Sequence, residues 1–159
     1  MQYLITYYSY SGNTDKVARV LAKMLKGKGE VRLERLKVAD EIKTFLAQCR
    51  AALTKKRAVL DGNATFNVSD YDFVLIGSPV WAFRPTPAIN TYLDGLNGLN
   101  GKKALIFLTS GSGVGVERCF KKIKTVLRNK GASDIYELNI QDRRVDDEEY
   151  ITRAAGKFI

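Results

Sequence analysis

Six consecutive residues, Ser9-Tyr10-Ser11-Gly12-Asn13-Thr14, have the composition of an anion-binding loop. An apolar, β-branched and aromatic run (Tyr3 to Tyr8) precedes them, and an amphipathic helical pattern follows at once. The segment therefore reads as strand, tight loop and helix N-terminus. Backbone N–H groups at a helix N-terminus lack intrahelical acceptors and lie at the positive end of the helix dipole, which together favour a phosphate. Ser9, Ser11, Asn13 and Thr14 add side-chain donors, and Gly12 lets the backbone come close to the anion. No Lys or Arg lies within the loop, so it offers neutral hydrogen bonds and is not a Walker-type phosphate site. The competing reading is an ordinary strand-to-helix turn capped by Ser and Thr.

Two further segments carry site-like chemistry. Ser78-Pro79-Val80-Trp81-Ala82-Phe83 places two aromatics, including the chain's one tryptophan, on an expected exposed loop. Aromatics there suit a flat ligand with apolar faces; a core tryptophan under the following helix is the alternative. Thr109-Ser110-Gly111-Ser112-Gly113-Val114-Gly115 spaces its glycines as G-x-G-x-G, which is not the dinucleotide fingerprint. The absence of histidine removes Ser-His-Asp and Cys-His catalysis and any His-ligated metal. Cys49 and Cys119 are far apart, with no second Cys nearby, and read as reduced thiols. No catalytic residue and no metal ligand stands out, so any chemistry must come from a bound cofactor, carboxylates, cysteine or tyrosine.

The elements that must position these loops alternate along the chain. Residues 2–8 predict a strand. Residues 15–26 predict a helix with Val17, Val20, Leu21 and Leu25 at helical spacing, stopped by Gly27 and Gly29. A half-exposed strand is expected over 30–36 and a helix over 40–56. Residues 57–70 read as a connection with a turn at Asp61-Gly62-Asn63. Tyr71–Gly77 and Lys103–Thr109 are almost continuously apolar, as parallel strands buried on both faces are. Pro87 opens a helix to about Leu96, and 116–130 predicts another, ending at Gly131. A last strand over 133–140 precedes a last helix over 146–159, with Asp146, Asp147, Glu148 and Glu149 in its first turn. Five strands alternating with five helices imply an α/β, doubly wound parallel sheet with right-handed crossovers, in one domain over 1–159. Ligands of such sheets bind at the carboxyl ends of the strands. There the loops after strands one, three and four would converge.

The hexapeptide resembles the flavodoxin signature [TS]-x-[TS]-G-x-T, and Gly77-Ser78-Pro79-Val80-Trp81 is similar to the first flavin-contacting loop of flavodoxins and NAD(P)H:flavin reductases. The resemblance implies sheet order 2-1-3-4-5 and FMN as cofactor. Ser9, Tyr10, Ser11, Gly12, Asn13 and Thr14 would wrap its phosphate. Ser78, Pro79, Val80, Trp81, Ala82 and Phe83 would flank the ring, with Trp81 covering it. Thr109, Ser110, Gly111 and Gly113 would border the ring's polar edge. Two departures stand out. Val80, Trp81 and Ala82 occupy a loop centre where many flavodoxins have a glycine whose peptide flips to favour one-electron transfer. A flip to left-handed backbone costs a residue with a Cβ about 1 kcal/mol or more. The 109–115 loop also lacks the family's stacking tyrosine, which leaves the outer ring face open to a nicotinamide or another small substrate.

Net charge is +9, and residues 16–57 hold 13 Lys/Arg against four acids. Such a basic region could meet nucleic acid, an anionic membrane surface or an acidic redox partner, with solvated helix faces as the plain alternative; no nucleic-acid-binding motif accompanies it. Cationic surroundings would raise the flavin potential relative to an acidic flavodoxin. No apolar run approaches the ~20 residues that span a bilayer, and the amino terminus lacks a basic leader, so a cytoplasmic protein is expected. The residues thus imply an electron-transfer flavoprotein shuttling between redox partners. The enzymatic alternative is an NAD(P)H-dependent flavin or quinone reductase, and the third is a flavin-free interaction module. A phosphoacceptor receiver is excluded, since Ser9 and Gly77-Ser78 stand where its acids are needed.

Overall fold

The computed structural model describes residues 1–39, 50 and 57–159. The helix expected over 40–56, and Cys49 within it, lie outside the described residues. In chain order the elements are β1 (Gln2–Tyr7), α1 (Asn13–Lys26), β2 (Glu30–Arg35), β3 (Lys37–Val38), β4 (Leu60–Asp61), β5 (Phe73–Pro79), α2 (Pro87–Gly95), β6 (Lys103–Ser110), α3 (Val116–Asn129), β7 (Ile135–Gln141) and α4 (Glu148–Ala155).

Side-chain alternation sets the layers. Tyr3, Ile5 and Tyr7 of β1, with Leu75 and Phe107 of the neighbouring strands, pack against Val17, Leu21 and Leu25 of α1 and Ile151 of α4. Leu4, Val74, Ile76, Ile106 and Leu108 point to the opposite face, onto Ile89 and Leu93 of α2 and Cys119, Ile123 and Leu127 of α3. Successive residues of a strand face opposite ways, so each strand feeds both cores. Each fully buried Leu or Ile contributes about 1.5–3 kcal/mol. The large sheet has order β2-β1-β5-β6-β7 with every pairing parallel, which is the expected 2-1-3-4-5. At Gly77 an added Cβ would lie 2.2 Å from the Phe107 ring and 2.8 Å from Tyr7 Cβ, so only glycine lets β1, β5 and β6 pack there.

Several boundaries differ from the sequence expectation, each for a local reason. Helix α1 starts at Asn13, because Gly12 turns the chain with φ 92. Asp147 caps α4, its Oδ1 accepting the Tyr150 N–H at 2.9 Å. Only Glu148 and Glu149 then occupy the first turn, while Asp146 pairs with Lys16 Nζ at 2.6 Å. That helix ends at Ala155 and not at Ile159. The last strand starts later than expected, at Ile135, with Ser133 in a bend before it whose N–H bonds Lys102 O. The short antiparallel pair of β3 and β4 was not legible either. The connection around it packs onto α2, with Phe66 stacked on Tyr92 (centroids 5.6 Å apart) and Tyr92 Oη donating to Thr65 O. No helix among the described residues is long and apolar enough to cross a membrane.

Candidate functional site

At the carboxyl end of β1 the chain turns through Gly12 into α1. Two of the four side-chain donors expected here are engaged inside the protein. Ser9, 1% exposed, accepts the Asp15 N–H on Oγ at 3.1 Å. Buried Thr14 shares a 2.8 Å hydrogen bond with Thr109, either hydroxyl donating. Ser11 remains exposed and Asn13 half-buried. Among the described residues no acceptor takes the amides of Ser11, Gly12, Asn13 or Thr14, which leaves a fan of N–H donors at the positive end of the dipole. The N-cap position itself is Gly12, but Ser9 Oγ takes the Asp15 N–H of the first turn, so the competing turn reading shares part of this geometry.

Charge enters from outside the hexapeptide. Arg35, at the end of β2 and in register with Tyr7, donates from Nη2 to Ser9 O at 2.8 Å. Below the loop, Tyr7 Oη donates to Asp15 Oδ1 at 2.5 Å and Arg19 Nε to Asp15 Oδ2 at 2.7 Å. Burial alone would raise the Asp15 pKa, but the bonds from Arg19 and Tyr7 and the charge of Arg35 outweigh it and hold the carboxyl below its ordinary range. Burial, then the bond to Asp15, pushes the Tyr7 phenol well above its usual value. Neither Arg35 nor Asp15 was singled out from sequence; the amphipathic pattern of α1 shows Asp15 one turn before Arg19, whereas only strand register brings Arg35 to the loop.

In the 78–83 segment the tryptophan sits in the core, as the alternative reading had it. Trp81 is only 8% exposed and stands edge-on to Tyr8 (5.8 Å) and Tyr10 (6.0 Å). Of the two aromatics expected to be exposed, only Phe83 is, at 44%. Trp81 and Arg84 exchange both backbone hydrogen bonds, at 2.9 and 3.0 Å. Between them Ala82 (φ 46) and Phe83 (φ 65) are both left-handed, the pattern of a type I′ turn. That conformation costs a residue with a Cβ about 1–2 kcal/mol, and non-glycine strain of this kind gathers at functional loops. Of the three residues expected to resist left-handed backbone, Val80, Trp81 and Ala82, the last already holds it. Ser78 Oγ is internal, donating to Pro79 O (2.8 Å) and accepting from Thr86 N (3.2 Å). It thus ties the loop's start to Thr86, the N-cap of α2.

The third loop begins at buried Thr109 and Ser110, the latter bonded to Asn139 Oδ1 at 3.1 Å. Gly111 faces Asp142 and Gly113 faces the Gln141 amide, so the end of β7 forms an edge that sequence reasoning missed. Gly115 (φ 82) leaves room for Phe83, whose ring would lie 2.0 Å from an added Cβ.

The three loops therefore meet in space. Tyr10 touches Trp81, Thr14 bonds Thr109, the Val80 N–H bonds Thr109 O at 2.9 Å, and Phe83 seats on Gly115. The result is an amide-lined anion cradle beside an aromatic wall and a glycine-rich edge, suited to a phosphorylated, planar ligand. Among the described residues no cluster of His, Cys, Asp or Glu could hold a metal ion. Cys119 is fully buried beyond the third loop, where desolvation pushes its thiol up to about 12.

A family model described as flavodoxin matches residues 2–151. A solved flavoprotein in complex with FMN from Lactobacillus acidophilus NCFM is 26% identical, with TM-score 0.64 over 93% of this chain and 98% of its own. Oxidised flavodoxin 2 from Bacillus cereus shares 19% identity at TM-score 0.61, covering 99% of this chain and 100% of its own. An NADH:FMN oxidoreductase in apo form also shares 19%, at TM-score 0.69, over 99% of this chain and 88% of its own. No curated protein sequence matches the chain.

Proposed function

The chain belongs to the flavodoxin family, and from that premise we propose that it binds FMN at the carboxyl end of its sheet and carries electrons between redox partners in the cytoplasm. The observation that carries this reading is the meeting of the three loops through Tyr10–Trp81, Thr14–Thr109 and Phe83–Gly115. The donor set fits the cofactor. The amides of Gly12, Asn13 and Thr14, with the Ser11 and Asn13 side chains, hold the phosphate. Ser9 and Thr14 hydroxyls brace that loop from inside. The Tyr10–Trp81 pair walls one side of the ring, and Gly111 and Gly113 amides serve its polar edge beside Gln141 and Asp142. Bound FMN supplies the redox chemistry; the protein supplies orientation, stacking and the surrounding charge.

A second reading is an NAD(P)H-dependent flavin or quinone reductase. It is favoured by the third loop, 109–115, which contains no aromatic residue and leaves Val114 exposed. Titrating the protein with FMN while following visible absorbance and the fluorescence of Trp81, the chain's one tryptophan, tests the first step. Saturable quenching supports it; an unchanged signal overturns it and makes the flavin-free module the leading reading. Mixing the loaded protein anaerobically with NADH or NADPH then separates the two others. Flavin bleaching by the nucleotide alone establishes the reductase, and no bleaching leaves the carrier.

A further inference from the structure

The loop at Ser9–Thr14 has no cation of its own, yet a phosphate monoester carries about −1.5 to −2 charge near neutral pH. Its first helical turn also holds Asp15, whose two oxygens are bonded by Tyr7 and Arg19. Arg19 is engaged with Asp15 across one helical turn, so its charge is directed to that carboxylate. Arg35 differs, because its contact is with the loop itself, through Ser9 O at 2.8 Å. A guanidinium has five N–H donors in a fixed fork, and Arg35 is exposed. It therefore keeps donors and a permanent charge at the mouth of the cradle.

Resting on the FMN reading above, we propose that Arg35 is the specificity-determining cation of this site: it makes the loop prefer the phosphorylated cofactor over the bare flavin. Neutral amides bind any suitably placed anion, but the guanidinium from the neighbouring strand, unlike that of Arg19, is bonded to the loop and not to Asp15, and favours the phosphate. A residue acting through charge has a signature that a backbone pin lacks. Its effect falls with ionic strength, because the Debye length shrinks from about 10 Å at 0.1 M to about 3 Å at 1 M, and lysine preserves it.

The test compares FMN with riboflavin, by Trp81 quenching and by calorimetry, in the wild-type protein, Arg35→Gln and Arg35→Lys. Arg35→Gln is expected to weaken FMN about tenfold, equivalent to about 1.4 kcal/mol, and riboflavin less than about twofold. Arg35→Lys should stay within about threefold of wild type for both ligands. Raising salt from about 0.05 to about 0.5 M should bring wild-type FMN affinity towards that of Arg35→Gln. An FMN-to-riboflavin ratio equal in wild type and Arg35→Gln overturns the inference while leaving FMN binding intact. Equal losses for both ligands in the Gln and Lys variants also overturn it, and assign Arg35 to bracing Ser9 alone. A wild-type protein that binds neither ligand fails at the earlier step, and the FMN reading falls with it.

Discussion

Replacing Gly115 by alanine tests whether the second and third loops are locked together. Two costs follow from the structure. The backbone at Gly115 has φ 82, which costs a residue with a Cβ about 1–2 kcal/mol. The new methyl would also lie 2.0 Å from Phe83 Cδ1 and 2.7 Å from Phe83 Cβ and Cγ. The ring, 44% exposed, can swing into solvent, but its Cβ cannot move unless the Trp81–Arg84 turn moves too. That turn is held by two backbone hydrogen bonds. Overpacking against backbone-fixed atoms costs about 1–3 kcal/mol. The sum is a destabilisation of about 2–5 kcal/mol, which at about 2–4 °C per kcal/mol for a chain of this size lowers Tm by roughly 5–20 °C. A double-mutant cycle with Phe83→Ala separates the terms. Removing the ring clears the Cδ1 and Cγ clashes but leaves the residue 83 Cβ at 2.7 Å, so Gly115→Ala in that background should cost less than in the wild type while staying above the backbone share of about 1–2 kcal/mol. Thermal and urea denaturation of the four proteins give the coupling energy. A Gly115→Ala protein melting within about 2 °C of wild type would refute the reasoning. So would a cost unchanged by removal of the Phe83 ring.

Three further outcomes follow. Ala82→Gly should relieve left-handed strain (φ 46) and raise stability by about 0.5–1 kcal/mol after the extra unfolded-state entropy of glycine; a lower Tm would show that the turn is unstrained. Asp15→Asn should cost about 1–3 kcal/mol at neutral pH by weakening charged hydrogen bonds from Tyr7 and Arg19. Because the folded pKa of Asp15 is depressed, this stability is present above its unfolded value of about 4 and disappears as pH falls through the folded pKa. Urea melts should therefore show the curves of the wild type and of the Asp15→Asn variant converging in acid, and parallel curves from neutral to acid pH would count against it. Cys119, fully buried with its thiol pushed up to about 12, should resist alkylation at a pH of about 8 in a Cys49→Ser background and react only on unfolding; labelling of the native protein would contradict its burial.

Much of the scaffold was legible because its causes are short-ranged. Tyr71–Gly77 and Lys103–Thr109 announce central strands by being apolar on both parities, and of them Phe73–Gly77 and Ala104–Thr109 are buried in the sheet. Pro87 marked a helix start, and α2 begins there, with Thr86 found as its N-cap. Boundaries were less legible where a single side chain or dihedral decides, as at Gly12 and Asp147. The strands β3 and β4 are two residues each, too short for any periodicity to reveal.

The site divides along the same line. Composition by itself determined that a donor-rich loop precedes a helix, that aromatic and glycine-rich loops follow two buried strands, and that histidine chemistry is absent. These are properties of contiguous residues. Which hydroxyls face a ligand, and which are consumed in bracing, was decided only when Ser9 met Asp15 and Thr14 met Thr109 across 95 residues. Trp81 is buried because Tyr8 and Tyr10 close on it, and Phe83 found its seat only because Gly115 has no side chain. The cation at an uncharged loop came from the register of β2 against β1, which puts Arg35 beside Tyr7. Register and loop convergence depend on the packing of the whole sheet, and no local pattern encodes them.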